Sequence, residues 1–242
     1  MEWADDGIVL GARRHGESAA IVTLLTRDHG RHAGLVRGAT GRRLRGLYQP
    51  GNEVTASWRA RLAEHLGTFT CELADARAAR LIDDPLRLAA LSAACSVVEA
   101  ALPERQPYPE LHAITVELLD RLERNEGWAQ AFVIWELNLL AELGFGLDLS
   151  ACAATGEAEN LAFVSPRSGR AVSRAAGEPY VEKLLPLPAF ILSDAADAPA
   201  REDISAGLRL TGWFLAHHVL AELSGTLPPA RERFATRWNN SE

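Results

Sequence analysis

The hydrophobic period of the chain changes near residue 80, and this change limits the folds that the chain can adopt more than any other feature. Before it, five short segments alternate apolar with polar residues or are rich in β-branched and aromatic residues, which is typical of strands. Turn signals that contain glycine separate them. The predicted strands are Gly7–Arg14, Ala19–Thr26, Arg31–Gly38, Asn52–Arg61 and Gly67–Ala74. Five short strands in about 80 residues predict a small barrel.

After residue 80, apolar residues recur at the 3.6-residue spacing of amphipathic helices. Asp84 is the expected N-cap of the first helix, and Pro85 occupies its first helical position. Gly127 and Gly144 are expected to end the second and third helices. Because short connections join these three helices, they are expected to pack as a bundle.

Residues 145–180 interrupt the helical pattern. Their centre, "NLAFVSPRSGRAVS", is typical of a hairpin. Another long helix is predicted over Arg201–Gly225, with Asp203 or Ser205 as its cap. The sequence therefore predicts an α+β protein with a barrel domain at 1–80 and a helical domain at 81–242, the latter carrying a hairpin insert at about 147–178.

Charge is unevenly distributed along the chain. The formal net charge is −7, yet residues 11–61 carry ten arginines and three acidic residues, a net of +7. Four of these arginines lie in the glycine-rich segment "LVRGATGRRLRG", between the third and fourth predicted strands. A basic surface on an acidic protein indicates an anionic partner, because it attracts where the rest of the surface repels. Solvated loop charge is the main alternative.

A cationic loop of this kind can follow a phosphate backbone without reading bases. The oligonucleotide-binding (OB) barrel is one small fold that presents such loops. Tyr48 and Trp58 lie near the loop in sequence and could stack on bases. On its alternating strand, Trp58 is more simply a residue of the barrel core, whereas both interpretations of Tyr48 stay open.

Motifs for common catalytic classes are missing from the sequence. It contains no G-x-x-x-x-G-K-[ST] phosphate loop, no G-x-S-x-G elbow and no H-E-x-x-H pair. The odd number of well-separated cysteines, Cys71, Cys95 and Cys152, argues against a disulfide framework. The adjacent His217 and His218 point in different directions on a helix and suit one metal poorly. The missing catalytic motifs favour a non-enzymatic protein. Because the sequence has no apolar run of ~18 residues and no signal pattern, we expect a cytoplasmic protein without membrane contact.

An ordered series of motifs resembles the bacterial DNA repair and recombination mediator family RecO. The opening "GIVLGARRHGESAAIVTLLTRDHGRHAGLVRGAT" is similar to the start of that family, and "LYQPGNEV" to its following segment. "WELNLLAELGFGLDLSACAATG" resembles its helix that runs into a cysteine, and "FVSPRSGRAVS" its later hairpin. "ARERF" resembles its C-terminal stretch.

The resemblance implies an OB-fold barrel, a helical bundle and a small insert similar to a zinc ribbon. It also implies a non-enzymatic DNA-binding function without ATP hydrolysis. Family members bind single- and double-stranded DNA and anneal complementary strands. They act with RecR and with the C-terminal tail of single-strand-binding protein, and so indirectly help to load RecA.

On this resemblance, the basic segment becomes the candidate DNA face of the barrel. The candidate DNA-binding residues are Arg13, Arg14, Arg31, Arg37, Arg42, Arg43, Arg45 and Tyr48. Two other classes stay open: an RNA- or tRNA-binding barrel protein, since a basic loop does not distinguish sugars, and a protein-interaction scaffold whose arginines are only solvated.

One departure from the family pattern concerns zinc. Zinc-binding members carry two C-x-x-C pairs in the insert, whereas this chain keeps Cys152 and has Thr155 at the second position of that pair. Ser173 and Ala176 stand around the second pair. One thiolate cannot hold a structural zinc, so neither zinc nor another cofactor is expected. The residues expected to hold the insert by packing are Leu147, Leu149, Leu161, Phe163 and Val172.

Overall fold

The computed structural model describes residues 1–39, 41, 46–193, 198–222 and 225–241. By its contacts the chain forms two compact units. The first contains Met1–Arg124 and Pro228–Phe234, and the second contains Asn125–Leu227 and Ala235–Glu242. The predicted domains 1–80 and 81–242 divide the chain differently and stay a prediction. No described helix is long and apolar enough to cross a membrane.

Five strands form the N-terminal part of the first unit, as predicted from their sequence patterns. They are β1 (Glu2–His15), β2 (Ala19–Thr26), β3 (Gly30–Val36), β4 (Glu53–Arg59) and β5 (Thr68–Asp75). They close into a barrel in the order β1-β2-β3-β5-β4. All neighbours are antiparallel except β3 and β5, which join through one parallel pair, Leu35 with Thr68. We call this the closing pair.

β1 begins five residues earlier than the sequence predicts. Its first half, Glu2 to Ile8, pairs with β4, and its second half, from Gly7 onward, pairs with β2. A bulge between Val9 and Gly11 shifts the register within the β1–β2 ladder and bends the strand. A Cβ atom at Gly11 would lie 2.9 Å from a carboxylate oxygen of Glu99, so glycine suits this bend.

Alternating residues of the strands fill the barrel. Trp58 is 2% exposed, and its indole Nε1 donates a hydrogen bond to the Leu66 carbonyl at 3.0 Å. The interpretation of Trp58 as a core residue is therefore confirmed. Tyr48 is also part of this core, at 5% exposure.

Three helices follow the strands in the first unit. They are α1 (Arg77–Arg80), α2 (Pro85–Ala101) and α3 (Pro109–Arg124). The predicted cap of α2 is confirmed, because Asp84 Oδ1 accepts from the amides of Leu86 and Arg87 at 3.1 and 3.0 Å. α2 packs against β1 and β2. The segment after α2 then contacts the barrel, since the Arg105 amide donates to the Arg31 carbonyl at 2.8 Å.

A buried arginine joins the barrel to the helices of the first unit. The Arg77 side chain is 6% exposed and contacts Glu53 at 2.6 Å, Asp120 at 2.6 Å and Glu123 at 3.0 Å. These carboxylates come from β4 and α3. Arg80 adds exposed contacts to Asp75 and Glu123. The network thus ties three elements that are distant in sequence.

The second unit contains helices and a small sheet. Its elements are α4 (Trp128–Glu142), β6 (Leu161–Val164), β7 (Ala171–Ser173), α5 (Arg174–Gly177), β8 (Leu185–Pro186) and α6 (Arg201–Phe214). The last helix, α7 (Pro229–Asn240), contributes residues to both units. A π-helical turn over Leu215–Val219 continues α6.

Three helix boundaries differ from the sequence prediction. α3 already ends at Arg124, and Gly127 is the N-cap of α4 with a φ of 54°. α6 ends at Phe214 because its hydrogen-bond pattern changes to the π-turn. The N-cap of α6 is Ala200, and Asp203 accepts the Ala200 amide hydrogen at 3.2 Å instead of capping from the first position.

The insert forms the predicted hairpin, with β6 and β7 antiparallel and β8 added on the other side of β6. Val172 is buried, as expected of a packing residue. The other four residues expected to pack the insert are only half-buried. Cys152 is buried instead, and its Sγ accepts the Ser173 amide hydrogen at 3.2 Å. The thiol therefore takes part in holding the insert together.

Candidate nucleic-acid interface

Strand pairing brings three of the candidate arginines to one end of the barrel. Arg14 pairs with Ala20, and Ala20 pairs in turn with Val36. Arg13 lies one residue before Arg14, and Arg37 one residue after Val36. Adjacent strands lie about 4.8 Å apart and residues along a strand about 3.3 Å apart, so the Cα atoms of these positions fall within roughly 12 Å of one another. Arg13, Arg14 and Arg37 are all exposed.

The Arg14 side chain is held close to the β1–β2 turn. Its guanidinium donates to the Gly16 carbonyl at 3.2 Å and to the Glu17 carbonyl at 3.3 Å. These contacts use backbone oxygens, so the positive charge of Arg14 is not neutralised by them. The turn therefore presents a fixed cation at this end of the barrel.

Arg31 lies in a different environment from the other candidates. Its Nε donates to the Leu102 carbonyl at 2.7 Å, and its guanidinium lies 3.6 Å from Glu104. The side chain is 20% exposed. Arg31 thus contacts the segment after α2, and the structure does not bring it together with Arg14 and Arg37.

Three predicted DNA contacts, Arg42, Arg43 and Arg45, lie outside the described residues. The chain on their C-terminal side is fixed by Asn52, which is 2% exposed. Its amide donates to the carbonyls of Gly46 and Leu47 at 2.9 and 3.1 Å. Sequence reasoning did not single out Asn52. A polar residue at the start of a predicted strand was the only signal that could have found it.

Tyr48 is held inside the barrel wall. Burial raises the pKa of its phenol above the usual value, so the hydroxyl stays neutral at physiological pH. The hydroxyl also hydrogen-bonds with the thiol of Cys71, whose own pKa burial raises to about 11. A ring that is 5% exposed cannot stack on a base from the outside.

Two cavities include Tyr48 in their walls. The first has a volume of about 420 Å³ and is lined by Ala12, Arg14, Glu17, Ala20, Ala39, Tyr48, Gln49 and Pro50. The second has a volume of about 400 Å³ and is lined by Leu35, Val36, Arg37, Tyr48, Thr68, Phe69, Thr70 and Cys71. Each cavity contains one of the exposed arginines described above.

The second unit has an apolar cavity of its own, of about 300 Å³. Its walls include the rings of Trp128 and Trp238, which meet edge to face at 5.6 Å. The Arg201 guanidinium lies 4.5 Å from the centre of the Trp238 ring and donates to the Trp238 carbonyl. An aromatic pocket beside a cation is suited to an apolar group with a negative charge nearby.

A site for a metal is not found in the part of the chain that the structure describes. No group of three or more His, Cys, Asp or Glu side chains there could hold an ion. Thr155, Ser173 and Ala176 stand where the resemblance described above would place further cysteines beside Cys152.

Comparisons with known proteins match both parts of the chain. The family model "Recombination protein O N terminal" matches residues 1–77, and "Recombination protein O C terminal" matches residues 82–225. The chain is 54% identical to the DNA repair protein RecO of Rhodospirillum centenum, over 100% of this chain and 96% of that protein. It is 54% identical to the DNA repair protein RecO of Rhodospirillum rubrum, over 98% of this chain and 96% of the relative. It is 50% identical to the DNA repair protein RecO of Jannaschia sp., over 96% of this chain and 94% of that protein. The chain therefore belongs to the RecO family of DNA repair proteins.

Proposed function

We propose that this chain is a non-enzymatic recombination mediator in DNA repair, active in the cytoplasm. It binds single- and double-stranded DNA, anneals complementary strands, and acts with RecR and single-strand-binding protein to promote RecA loading. The observation that carries this proposal is the arrangement of Arg13, Arg14 and Arg37 at one end of a barrel. The segment with Arg42, Arg43 and Arg45 starts at that same end.

The barrel supports the nucleic-acid part of the proposal. Its strand order, with β1 pairing both β2 and β4 and β5 lying between β3 and β4, is compatible with an OB fold. We infer that residues 1–80 form the DNA-binding domain. Residues 81–242 form the helical domain that supports it, with the insert at about 147–178.

Strand annealing can follow from charge alone. Two complementary strands repel each other through their phosphates, and arginines that contact phosphates reduce that repulsion while releasing counterions. Contacts to phosphate and sugar leave base edges available for pairing. No nucleotide hydrolysis is needed for this step, and no cofactor is proposed.

The test of the function is annealing of complementary strands coated with single-strand-binding protein, with and without this chain. Faster annealing in its presence supports the proposal, and an unchanged rate contradicts it. Competition between DNA and RNA oligomers of matched sequence distinguishes a DNA-binding protein from an RNA-binding one. An RNA-binding protein would release a bound DNA oligomer more readily to RNA than to DNA. A scaffold with solvated arginines would bind neither oligomer.

We expect that changing Arg42, Arg43 and Arg45 together to Ala weakens DNA binding about tenfold and flattens its salt dependence. The slope of log K against log salt should fall by up to ~3 units if each arginine meets one phosphate. Binding titrations at several salt concentrations measure both quantities.

A matched control variant changes the same amount of charge away from this end of the barrel. Arg27 lies at the β2–β3 turn, and Arg121 and Arg124 lie in the last turn of α3. All three side chains are exposed. The variant in which these three become Ala should bind DNA much as wild type does. Equal losses in both triple variants would show that net charge, rather than the location of the arginines, determines affinity.

We further propose that the acidic tail of single-strand-binding protein docks on the second unit. The tail ends in acidic residues and a terminal Phe, which need an apolar pocket and a cation. The cavity between Trp128 and Trp238, with Arg201 at its edge, offers both. The arginines of α3 are less suitable, since Arg121 and Arg124 already contact Glu117 and Asp120.

A fluorescent tail peptide tests this docking site. Wild type and the Arg42, Arg43 and Arg45 variant should bind it equally, and removal of its terminal Phe should weaken binding. Ala198→Leu, which partly fills the cavity, should weaken binding several-fold, whereas Ala200→Leu at an exposed position outside the lining should not. Loss of peptide binding in the arginine variant alone would place the tail on the barrel and contradict the proposal.

A further inference from the structure

We propose that the edge of β5 beyond the closing pair binds an extended segment of a partner protein, which adds one strand to the barrel and places a carboxylate on Arg37. The inference goes beyond the proposed function, since it assigns a protein-binding site to the barrel and does not depend on DNA binding. Recognition by an added strand takes its affinity from main-chain hydrogen bonds and its specificity from the side chains beside the edge.

The hydrogen bond next to the closing pair shows which backbone groups of β5 point toward this edge. The Leu35 amide donates to the Gly67 carbonyl at 3.0 Å, so Gly67 directs its carbonyl toward β3. Along a strand, successive residues direct their amide and carbonyl groups to opposite sides. Cys71 and Leu73 therefore direct theirs to the same side as Gly67. The residues between them face β4, with which β5 forms a regular ladder up to Leu73.

β3 does not extend far enough to pair with these groups. It ends at Val36, directly after the closing pair, whereas β5 continues to Asp75. In the part of the chain that the structure describes, no group hydrogen-bonds to the backbone of Cys71 or Leu73 on this side. The Leu73 side chain is 46% exposed. The edge thus presents unpaired donors and acceptors, an arrangement that pairs readily with another extended chain.

A groove lies beside this edge and can receive a side chain of the added strand. It is the cavity of about 400 Å³ between the end of β3 and the first half of β5. Leu35, Val36 and Phe69 supply its apolar surface, and Thr68 and Thr70 supply hydroxyl groups. Every second side chain of an extended segment points to the same face. The groove therefore favours a segment that alternates small apolar residues with other residues.

Arg37 determines the charge that the segment should carry. It is exposed and lines the same cavity, which has no carboxylate in its wall. Among the residues that the structure describes, no ion pair includes Arg37. A carboxylate on the added segment would form a charge-assisted hydrogen bond with it. A phosphate could also meet this arginine, but nucleic acid lacks the regularly spaced amides that pair with a strand, so the edge favours a peptide.

The probes are two capped seven-residue peptides of alternating Thr and Val, with one Glu at the N-terminal or at the C-terminal position. At least one of them should bind the full chain with a Kd below about 1 mM in an NMR titration. Methylation of its backbone amides removes the main-chain donors and should weaken binding at least about tenfold. Replacement of its Glu by Lys should weaken binding several-fold, because the charge then repels Arg37.

Amide hydrogen exchange tests the edge itself. In the free protein, the amides of Cys71 and Leu73 should exchange at least about tenfold faster than those of Thr70 and Glu72, which face β4. The bound peptide should slow the exchange of the first two and leave the others unchanged. Equal protection of all four amides in the free protein would show that the edge is not open. Slowing by a DNA oligomer but by neither peptide would assign the edge to nucleic acid, and either result contradicts the inference.

Arg37→Ala tests the charge, and Arg174→Ala is its matched control. Arg174 is an exposed arginine of α5 in the second unit. Arg37→Ala should weaken binding of the Glu peptide several-fold and leave binding of the same peptide with Gln unchanged, whereas Arg174→Ala should bind both as wild type does. Thermal melting should show that both variants are folded. The inference is wrong if neither Glu peptide binds below about 1 mM, if backbone methylation has no effect, or if the two variants behave alike.

Discussion

Replacement of Arg77 with Met is expected to lower the free energy of unfolding of the chain by about 3 to 5 kcal/mol. The Arg77 guanidinium is buried among carboxylates from β4 and α3. Without it, Glu53, Asp120 and Glu123 remain close together with like charges, and only Glu123 keeps a donor, from Arg80. Urea unfolding followed by circular dichroism measures the change.

The neighbouring Arg80 provides the control for this prediction. Its side chain is 47% exposed, and it contacts Asp75 and one of the carboxylates around Arg77, that of Glu123. Exposed ion pairs contribute about 0 to 1 kcal/mol, so Arg80→Met should reduce stability far less. If the two variants lose equal stability, burial does not distinguish the two arginines and the interpretation of Arg77 as the central cation is wrong.

Acid is expected to destabilise the barrel through His32. This residue is 4% exposed, and neither ring nitrogen has a hydrogen-bond partner among the described residues. The rings of Trp3, Trp58 and Phe69 surround it. Burial lowers the pKa of His32 to about 4, with smaller contributions from the charges of Arg105 and His29.

The sign of the effect follows from the direction of this shift. The unfolded chain binds a proton at His32 near pH 6.5, whereas the folded chain does so only near pH 4. The stability that comes from neutral His32 is therefore complete above pH 6.5 and is lost as the pH falls toward 4. The loss amounts to about 3 kcal/mol for a shift of this size.

His32→Phe should remove this dependence because phenylalanine keeps the aromatic packing and does not titrate. The urea midpoint of wild type should fall more steeply between pH 7 and pH 4.5 than that of His32→Phe. His65, which is exposed, provides a control in His65→Phe, whose profile should follow wild type. Parallel profiles for wild type and His32→Phe would contradict the expected titration.

Local pattern predicted most of the fold. The five strands were expected because alternation and turn glycines are local signals, and Asp84 and Pro85 marked a helix start in the same way. The N-terminal extension of β1 was missed because "EWADD" has no strand pattern of its own. Its pairing with β4 is a contact between residues distant in sequence, and such contacts override local preference.

The sequence predicted the positive charge of the candidate site but not the arrangement of its side chains. Arginine positions are visible in the sequence, and strand order brought Arg14 and Arg37 to one end. The sequence could not show that Arg31 would be engaged by the Leu102 carbonyl, since that contact depends on how α2 ends against the barrel. Nor could it show that Tyr48 would be buried and line two cavities, because burial and cavities result from the packing of several strands.

The closing pair has a consequence for the order in which the barrel folds. β1, β2 and β3 are joined by short turns, so their pairing requires little loss of chain entropy. The closing pair joins Leu35 to Thr68 across all of residues 36–67 and offers only one bridge in return. Contacts that close long loops form slowly. The β1–β3 meander is therefore expected to form before β4 and β5 complete the ring, with the junction of β3 and β5 as a late folding step.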